Sequence, residues 1–235
     1  MRYAAREPEI ADLGAFLNRM GGQILGAGSS VVTIDGVSDL RAVEHTVIPD
    51  RIEVATFLSV LGVAGGELTL HHVRPDHLDL LIEKLGAMGI RISPEPDGLW
   101  AMASGRPRPT NVATLPYPGL ATDYLPLLVA LQCFNTGTSS ATENVFSGRF
   151  RYVGELARMG AQVRVDGHHL VIDGVARLSG APVRALDIRA GAALVVAALG
   201  ADGETIIADA HHLDRGYEGL TDRLSAIGVQ IERLD

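Results

Sequence analysis

One clause is written into this chain of 235 residues four times. A helix-like run ends in Met or Ile, a glycine follows, and a β-rich stretch comes next, as in RMGGQI, AMGIRI, RMGAQV and AIGVQI. The glycines are Gly21, Gly89, Gly160 and Gly228. A period of roughly 70 residues is too long for a one-hairpin solenoid and suits a unit of several helices and strands. A second marker keeps step with the first. Asp50, Asp123 and Asp187 each stand just ahead of a strongly apolar helical run, and the runs close on glycine turns at Gly66, Gly137 and Gly203. Acids repeated at helix starts point to one shared site.

Along the chain, Ile10, Leu13, Phe16, Leu17 and Met20 have helical spacing over residues 8–20, with Pro8 in the first turn and Gly21 beyond the end. Residues 31–36 read as a strand and tight turn, with a partner strand expected around His45 to Ile48. Asp50 then opens a helix to about Gly62, followed by a strand at Leu68 to Leu70, a helix from Leu78 to Leu85, and short strands near Ile90 to Ile92 and Leu99 to Met102. Residues 104–119 carry Pro107, Pro109, Pro116 and Pro118 and read as a loop or hinge. Asp123 opens the next helix. The runs from Leu125 to Phe134 and from Ala190 to Leu199 are apolar almost all round, so they belong inside the protein. At about ten residues they are too short to span a membrane. The reading is an α/β fold, layered in the α+β manner, with one central helix per unit wrapped by outer helices and sheets.

Composition narrows the partners. A net charge of −8 and a pI near 5.4 argue against nucleic acid or an anionic membrane, because nothing supplies the basic field those polymers require. With 47% hydrophobic and 20% charged residues, no signal-peptide pattern and no apolar run of spanning length, a cytoplasmic globular protein is expected. Lys84 is the only lysine, so any phosphate or carboxylate clamp here is a guanidinium fork. The single cysteine excludes an internal disulfide.

Two readings of the three acids compete. As helix caps, each carboxylate accepts a backbone N–H and is worth about 1 kcal/mol. As a functional set, they mark buried helices that aim their positive N-terminal ends at one cleft and make an anion site. Arg51, Arg149, Arg189 and Arg215 lie beside these starts or in the connecting loops, and capping alone requires none of them.

At these residues the chain resembles the enolpyruvyl transferase family. The stretches that carry the resemblance are AAREPEI from Ala4, IPDRIE from Ile48, ATLPYPGLATD from Ala113, TENVFSGRF from Thr142, DIRAGAALV from Asp187 and DRGYE from Asp214. They run in order over nearly the whole chain. The resemblance implies two similar domains, each of three βαβαββ units, forming an inside-out α/β barrel with helices at the centre and a cleft between domains. It also implies a truncated version. Residues 1–48 resemble a remnant of the first domain, and residues 49–235 resemble the second domain without its N-terminal strands, so a C-terminal half is expected.

In the family, enolpyruvate passes from phosphoenolpyruvate to the 3-hydroxyl of UDP-N-acetylglucosamine, a step of peptidoglycan synthesis, by addition and then elimination of phosphate. The resemblance places Asp123 as the carboxylate that accepts the hydroxyl proton, Val145 at a UDP-sugar contact, and Arg215 on the phosphoenolpyruvate anion. Asp187, Arg189 and Arg149 are expected in the same polar shell. Asp50 and Arg51 fall at the inter-domain crossing, as ligand contacts or as a hinge ion pair. No cofactor or metal is implied. Tyr124-Leu125-Pro126 after the acid and Leu120-Ala121 before Thr122 depart from the family pattern. The family's Lys-Asn pair, its cysteine-bearing loop and one phosphoenolpyruvate-binding arginine belong to the half this chain does not match. Two functions remain open: a half-enzyme that needs a complementary N-terminal half, and a non-catalytic module that binds a sugar nucleotide or a partner. Exposed apolar surface and self-association are expected in either case.

The remaining candidates read as structural. Cys133 lies in an apolar helix, where burial makes a thiol inert. In the pairs His71-His72, His168-His169 and His211-His212, neighbours on a strand point to opposite faces and do not chelate together, and no Cys or Glu spacing completes a metal site, so they read as solvated turn or strand-end residues. Gly26-Ala27-Gly28 is a hairpin turn lacking the ending of a phosphate loop, and Trp100 is expected on a core sheet face.

Overall fold

The computed structural model describes residues 1–234. In chain order it contains α1 (Pro8–Arg19), β1 (Gln23–Leu25), β2 (Thr33–Asp35), α2 (Arg51–Ala64), β3 (Gly66–His71), α3 (Asp79–Met88), β4 (Arg91–Glu95) and β5 (Gly98–Ala103). There follow β6 (Val112–Ala113), α4 (Leu125–Gln132), β7 (Thr138–Thr142), α5 (Tyr152–Arg158), β8 (Gln162–Asp166) and β9 (His169–Asp173). The last group is β10 (Leu178–Ser179), β11 (Pro182–Arg184), α6 (Ile188–Leu199), β12 (Ala201–Asp202), β13 (Ile206–Ala208) and α7 (Leu220–Ala226).

The repeated clause is a repeated bond. After α1, α3, α5 and α7 the residue following the glycine donates its N–H to a leucine carbonyl five positions back: Gly22 to Leu17, Ile90 to Leu85, Ala161 to Leu156 and Val229 to Leu224, at 2.9 to 3.1 Å. The four glycines sit at φ between +93° and +108°, which a side chain resists. Each outer helix is thus stopped in the same way and the chain is released as an extended segment.

The core is helix on helix. α2, α4 and α6 pack on one another, and α4 is buried along its whole length. With no polar face, these helices gain stability from burial on all sides, about 1.5–3 kcal/mol for each large side chain. Among their polar groups, the Thr56 and Ser59 hydroxyls donate to the Ile52 and Ala55 carbonyls one turn back, and the Gln132 amide accepts from the Thr110 N–H and donates to the Arg108 carbonyl. Close approach is enforced at Gly62, where a Cβ would lie 2.7 Å from Ile90 Cδ1 and 2.8 Å from Leu131 Cδ1. Around this bundle lie a three-stranded sheet ordered β3-β5-β4, a four-stranded sheet ordered β6-β7-β9-β8, and the pairs β10-β12 and β11-β13. The helices α2, α4 and α6 are inside, the sheets and the other helices lie around them, and the sheets do not close into a barrel among the described residues.

Three local expectations fail. Residues 45–48 form no strand; the partner of β2 is β1, because the Gly26 to Ser30 turn brings the two together in a hairpin with Ile24 opposite Ile34. Trp100 is not in the core. The period-two alternation of β5 turns Leu99, Ala101 and Ala103 inward and leaves Trp100 on the outer face, its indole N–H donating to Glu67. The opposite-face argument fails for two histidine pairs: His168-His169 stand at a turn and strand end, as expected, and His211-His212 in a 3-10 helix, with their tilted rings 3.9 and 4.3 Å apart. Among the described residues no group of three His, Cys, Asp or Glu is placed to hold a metal ion, and no helix is long and apolar enough to cross a membrane. Cys133 is buried, which pushes its thiol up to about 12.

Candidate functional site

The three acids do not do the same work. Asp50 caps α2, its Oδ1 accepting from the Ile52 and Glu53 amides at 2.7 and 3.3 Å. Asp187 caps α6 in the same way through the Arg189 and Ala190 amides, both at 2.8 Å. Asp123 caps nothing. It sits in the 3-10 turn Thr122–Tyr124 that leads into α4, where the Leu125 amide is already bonded to the Thr122 carbonyl and Pro126 has no N–H to offer. Its carboxylate is left free for side chains, and two arginines take it. Arg149 Nη2 stands 2.8 Å from Oδ1 and Arg189 Nη2 stands 3.2 Å from Oδ2. With its side chain about one-third exposed, Asp123 is open to a ligand.

A second carboxylate holds this arrangement from behind. Glu143 is 3% exposed. Its Oε2 accepts from the Thr122 hydroxyl at 2.6 Å, and its Oε1 accepts from the Thr114 hydroxyl and the Val145 and Phe146 amides at 2.7 to 3.1 Å. Burial alone would raise its pKa, but these four donors outweigh that and hold it below the ordinary carboxylate range. Because Thr122 spends its single proton on Glu143, its oxygen must accept from Arg149 Nη1, at 3.0 Å. Glu143 therefore orients Arg149, and Arg149 holds Asp123. The same carboxylate pins the backbone of Val145, whose side chain with that of Phe146 stays exposed beside the Arg149 guanidinium.

Arg189 is held from the other side. Its Nη1 reaches the Tyr217 hydroxyl at 3.5 Å and its guanidinium lies 6.0 Å from that ring's centroid. The Thr56 hydroxyl donates to Ile52, so the Tyr217 hydroxyl donates to Thr56, at 2.8 Å, and accepts from Arg189. Burial raises the Tyr217 pKa. One connected chain of bonds thus joins α2, the start of α4, α6 and the loops that carry Tyr217 and Arg149.

Arg51 has a different setting. It is 6% exposed, grips Glu9 of α1 with Nε at 2.8 Å and Nη2 at 3.2 Å, and donates to the Tyr124 hydroxyl at 3.2 Å. Burial opposes its charge, yet the Glu9 fork raises its pKa and lowers that of Glu9. This pair ties residues 1–48 to the start of α2. Burial pushes Tyr124 up to about 12. Arg215, at the end of the 3-10 helix two residues before Tyr217, is exposed, and its side chain makes no ion pair or hydrogen bond among the described residues. Asp123, Arg149, Arg189 and Val145 are brought together; Arg215 is connected to them through the Tyr217 loop, Asp187 through the start of α6, and Asp50 and Arg51 border them at α2.

Glu143, Thr122, Thr114, Thr56, Tyr217 and Glu9 were not singled out from the sequence. All of them but Thr56 fall inside the quoted stretches, but nothing in their spacing shows that Glu143 is buried against two distant threonines or that Tyr217 carries Arg189.

The sequence profile of the EPSP synthase (3-phosphoshikimate 1-carboxyvinyltransferase) family matches residues 1–224. The chain belongs to this family of enolpyruvyl transferases. It is 48% identical over 234 residues to UDP-N-acetylglucosamine 1-carboxyvinyltransferase 1 of Symbiobacterium thermophilum, covering all of this chain and 53% of that protein. It is likewise 48% identical to the UDP-N-acetylglucosamine 1-carboxyvinyltransferase of Nocardia farcinica, covering 98% of this chain and 54% of that protein. Among solved structures, the enolpyruvyl transferase NikO from Streptomyces tendae superposes with a TM-score of 0.85 at 31% identity, over 98% of this chain and 55% of NikO. EPSP synthase from Acinetobacter baumannii superposes at 0.73 with 18% identity, over 94% of this chain and 54% of that one, which speaks for the fold alone. The chain spans about half the length of the relatives it matches.

Proposed function

We propose that this chain carries one side of an enolpyruvyl transfer centre and turns over with a complementary N-terminal half. The reaction is transfer of enolpyruvate from phosphoenolpyruvate to the 3-hydroxyl of UDP-N-acetylglucosamine, in cytoplasmic peptidoglycan synthesis. Residues 1–48 belong to the first domain and residues 49–235 to the second. The observation that carries the reading is Asp123, a carboxylate released from capping and presented between two arginines. In this role Asp123 accepts the 3-hydroxyl proton as that oxygen bonds to C2 of phosphoenolpyruvate. The double-bond electrons go to C3, which takes a proton from the other half. Loss of a proton from the C3 methyl with departure of phosphate from C2 then re-forms the C2–C3 double bond and leaves the enol ether of the sugar. Arg149, Arg189 and Arg215 are suited to the phosphate and carboxylate charges, the Val145 backbone lies at the sugar-nucleotide edge, and Asp50, Arg51 and Asp187 fix the helix starts that border the ligand.

A phosphate-release assay with both substrates tests this. The chain is assayed alone and with the part of the Symbiobacterium thermophilum relative that it does not match. Turnover is expected only in the two-piece complex. A well-formed complex without turnover overturns the enzymatic reading and favours the alternative, a sugar-nucleotide-binding module.

A further inference from the structure

The 3-10 turn that carries Asp123 is tied down by all three of its side chains, each to a different set of partners. Thr122 is bonded to Glu143 and Arg149, and Asp123 to Arg149 and Arg189. The third tie belongs to Tyr124, which is 3% exposed and whose hydroxyl accepts from Arg51 Nη1 at 3.2 Å. Tyr124 is also one of the residues that depart from the family pattern, so the resemblance assigns it no task.

One guanidinium clasps this segment at two points. The Arg51 Cζ lies 5.7 Å from the ring centroid of Tyr124 and 5.7 Å from that of Tyr117, which stands in the loop leading to the turn. That loop is closed on itself, since the Leu115 amide donates to the Leu120 carbonyl at 2.9 Å. Along the chain, Asp123 therefore lies between two aromatic contacts to the same charge.

Arg51 has little freedom of its own. Its Nε and Nη2 are taken by the two oxygens of Glu9, and a fork of this kind fixes the plane of the guanidinium as well as its place. The remaining nitrogen, Nη1, is the one that reaches Tyr124. The ion pair is lopsided, because the Arg51 side chain is buried while that of Glu9, on α1, is half-exposed. Withdrawal of Glu9 leaves a buried guanidinium without its counter-ion, a cost it relieves by moving toward water and away from the tyrosines.

We propose that Tyr124 is a positioning residue that transmits the seating of α1 to the Asp123 carboxylate. With Glu9 in the fork, Arg51 holds the Tyr124 hydroxyl, the Thr122–Tyr124 turn keeps its pitch, and Asp123 faces Arg149 and Arg189. With α1 displaced, the hydroxyl is released and the carboxylate loses its aim. Tyr124 acts through the backbone it shares with Asp123, and a misplacement of about 1 Å at a reacting group is enough to cost ~100-fold in rate. The inference rests on the enzymatic reading for what Asp123 does, and on the structure alone for what moves it.

The test begins on this chain alone, with amide hydrogen exchange at Tyr124 and Leu125, whose N–H groups close the turn on the Ala121 and Thr122 carbonyls. Glu9→Gln and Tyr124→Phe are each expected to speed exchange there at least ~10-fold, and the double variant to go no further than the faster single one, because both cut the same connection. Unchanged exchange in Glu9→Gln, or effects that multiply in the double variant, overturns the proposal. Should circular dichroism show Glu9→Gln unfolded, Tyr124→Phe decides by the same measure. In the two-piece complex both variants are expected to lower kcat by about 10–100-fold with KM little changed. A loss of unfolding free energy with kcat intact makes Tyr124 a packing residue and also overturns the proposal. An unsubstituted complex that forms without turnover removes the enzymatic reading instead, and the exchange measurements still decide whether α1 sets the turn through Tyr124.

Discussion

The starts of α2 and α4 look alike in sequence, an acid ahead of an apolar run, and differ in what the acid is left to do. At α2, Asp50 is consumed by two backbone amides and Arg51 by Glu9, so the charges there are closed off within the protein. At α4 a 3-10 turn and Pro126 remove the demand for a cap, and Asp123 meets Arg149 and Arg189 instead. One region spends its electrostatics on holding two segments together. The other keeps a carboxylate and two guanidinium groups within reach of a ligand.

That contrast is sharpened first by removing a guanidinium at the open site. Arg189→Ala in the two-piece complex is expected to lower kcat/KM by on the order of 100–1000-fold, the usual loss for a group that stabilises transition-state charge; steady-state phosphate release reads it, and an unchanged value removes Arg189 from the site. Next, Glu143→Gln replaces one acceptor oxygen by a donor facing either Thr122 or the Thr114 and amide set. Urea unfolding should show a loss of roughly 1–3 kcal/mol at neutral pH. The sign with pH follows from the depressed pKa: the Glu143 contribution is complete above the unfolded value of about 4.3 and is lost as pH falls through the lower folded value. The difference between wild type and variant should therefore shrink in acid, and a difference constant from pH 7 to pH 2 contradicts the assignment. The smallest effects belong to the caps. Asp50→Ala and Asp187→Ala should each cost about 1 kcal/mol in unfolding free energy, and no loss at either breaks the contrast from the capping side.

Much of the fold was legible because its signals are local. The Leu17, Leu85, Leu156 and Leu224 carbonyls receive the same bond, and a glycine at positive φ follows each of the four outer helices. Apolarity around the whole circumference placed α4 and α6 inside. The failures were questions of pairing. His45 to Ile48 has strand-like residues but does not pair, His45 being held instead against α1 by Asp12 at 3.0 Å and the Phe16 ring, and the face on which Trp100 stands depends on the register of β5 against β3. At the site, the resemblance and the repeated acids led to Asp123, Arg149 and Arg189. Capping could not be separated from function there without seeing which amides were already bonded. Glu143 was invisible because its partners, Thr114 and Thr122, lie 29 and 21 residues away and meet it only in the folded chain.

The central claim is that Asp123, alone of the three acids, is held for chemistry. Turnover of the two-piece complex carrying Asp123→Asn tests it most directly, since the substitution keeps the shape and removes the base. The account predicts a fall in kcat of ~100-fold or more. A rate equal to that of the unsubstituted complex would contradict it.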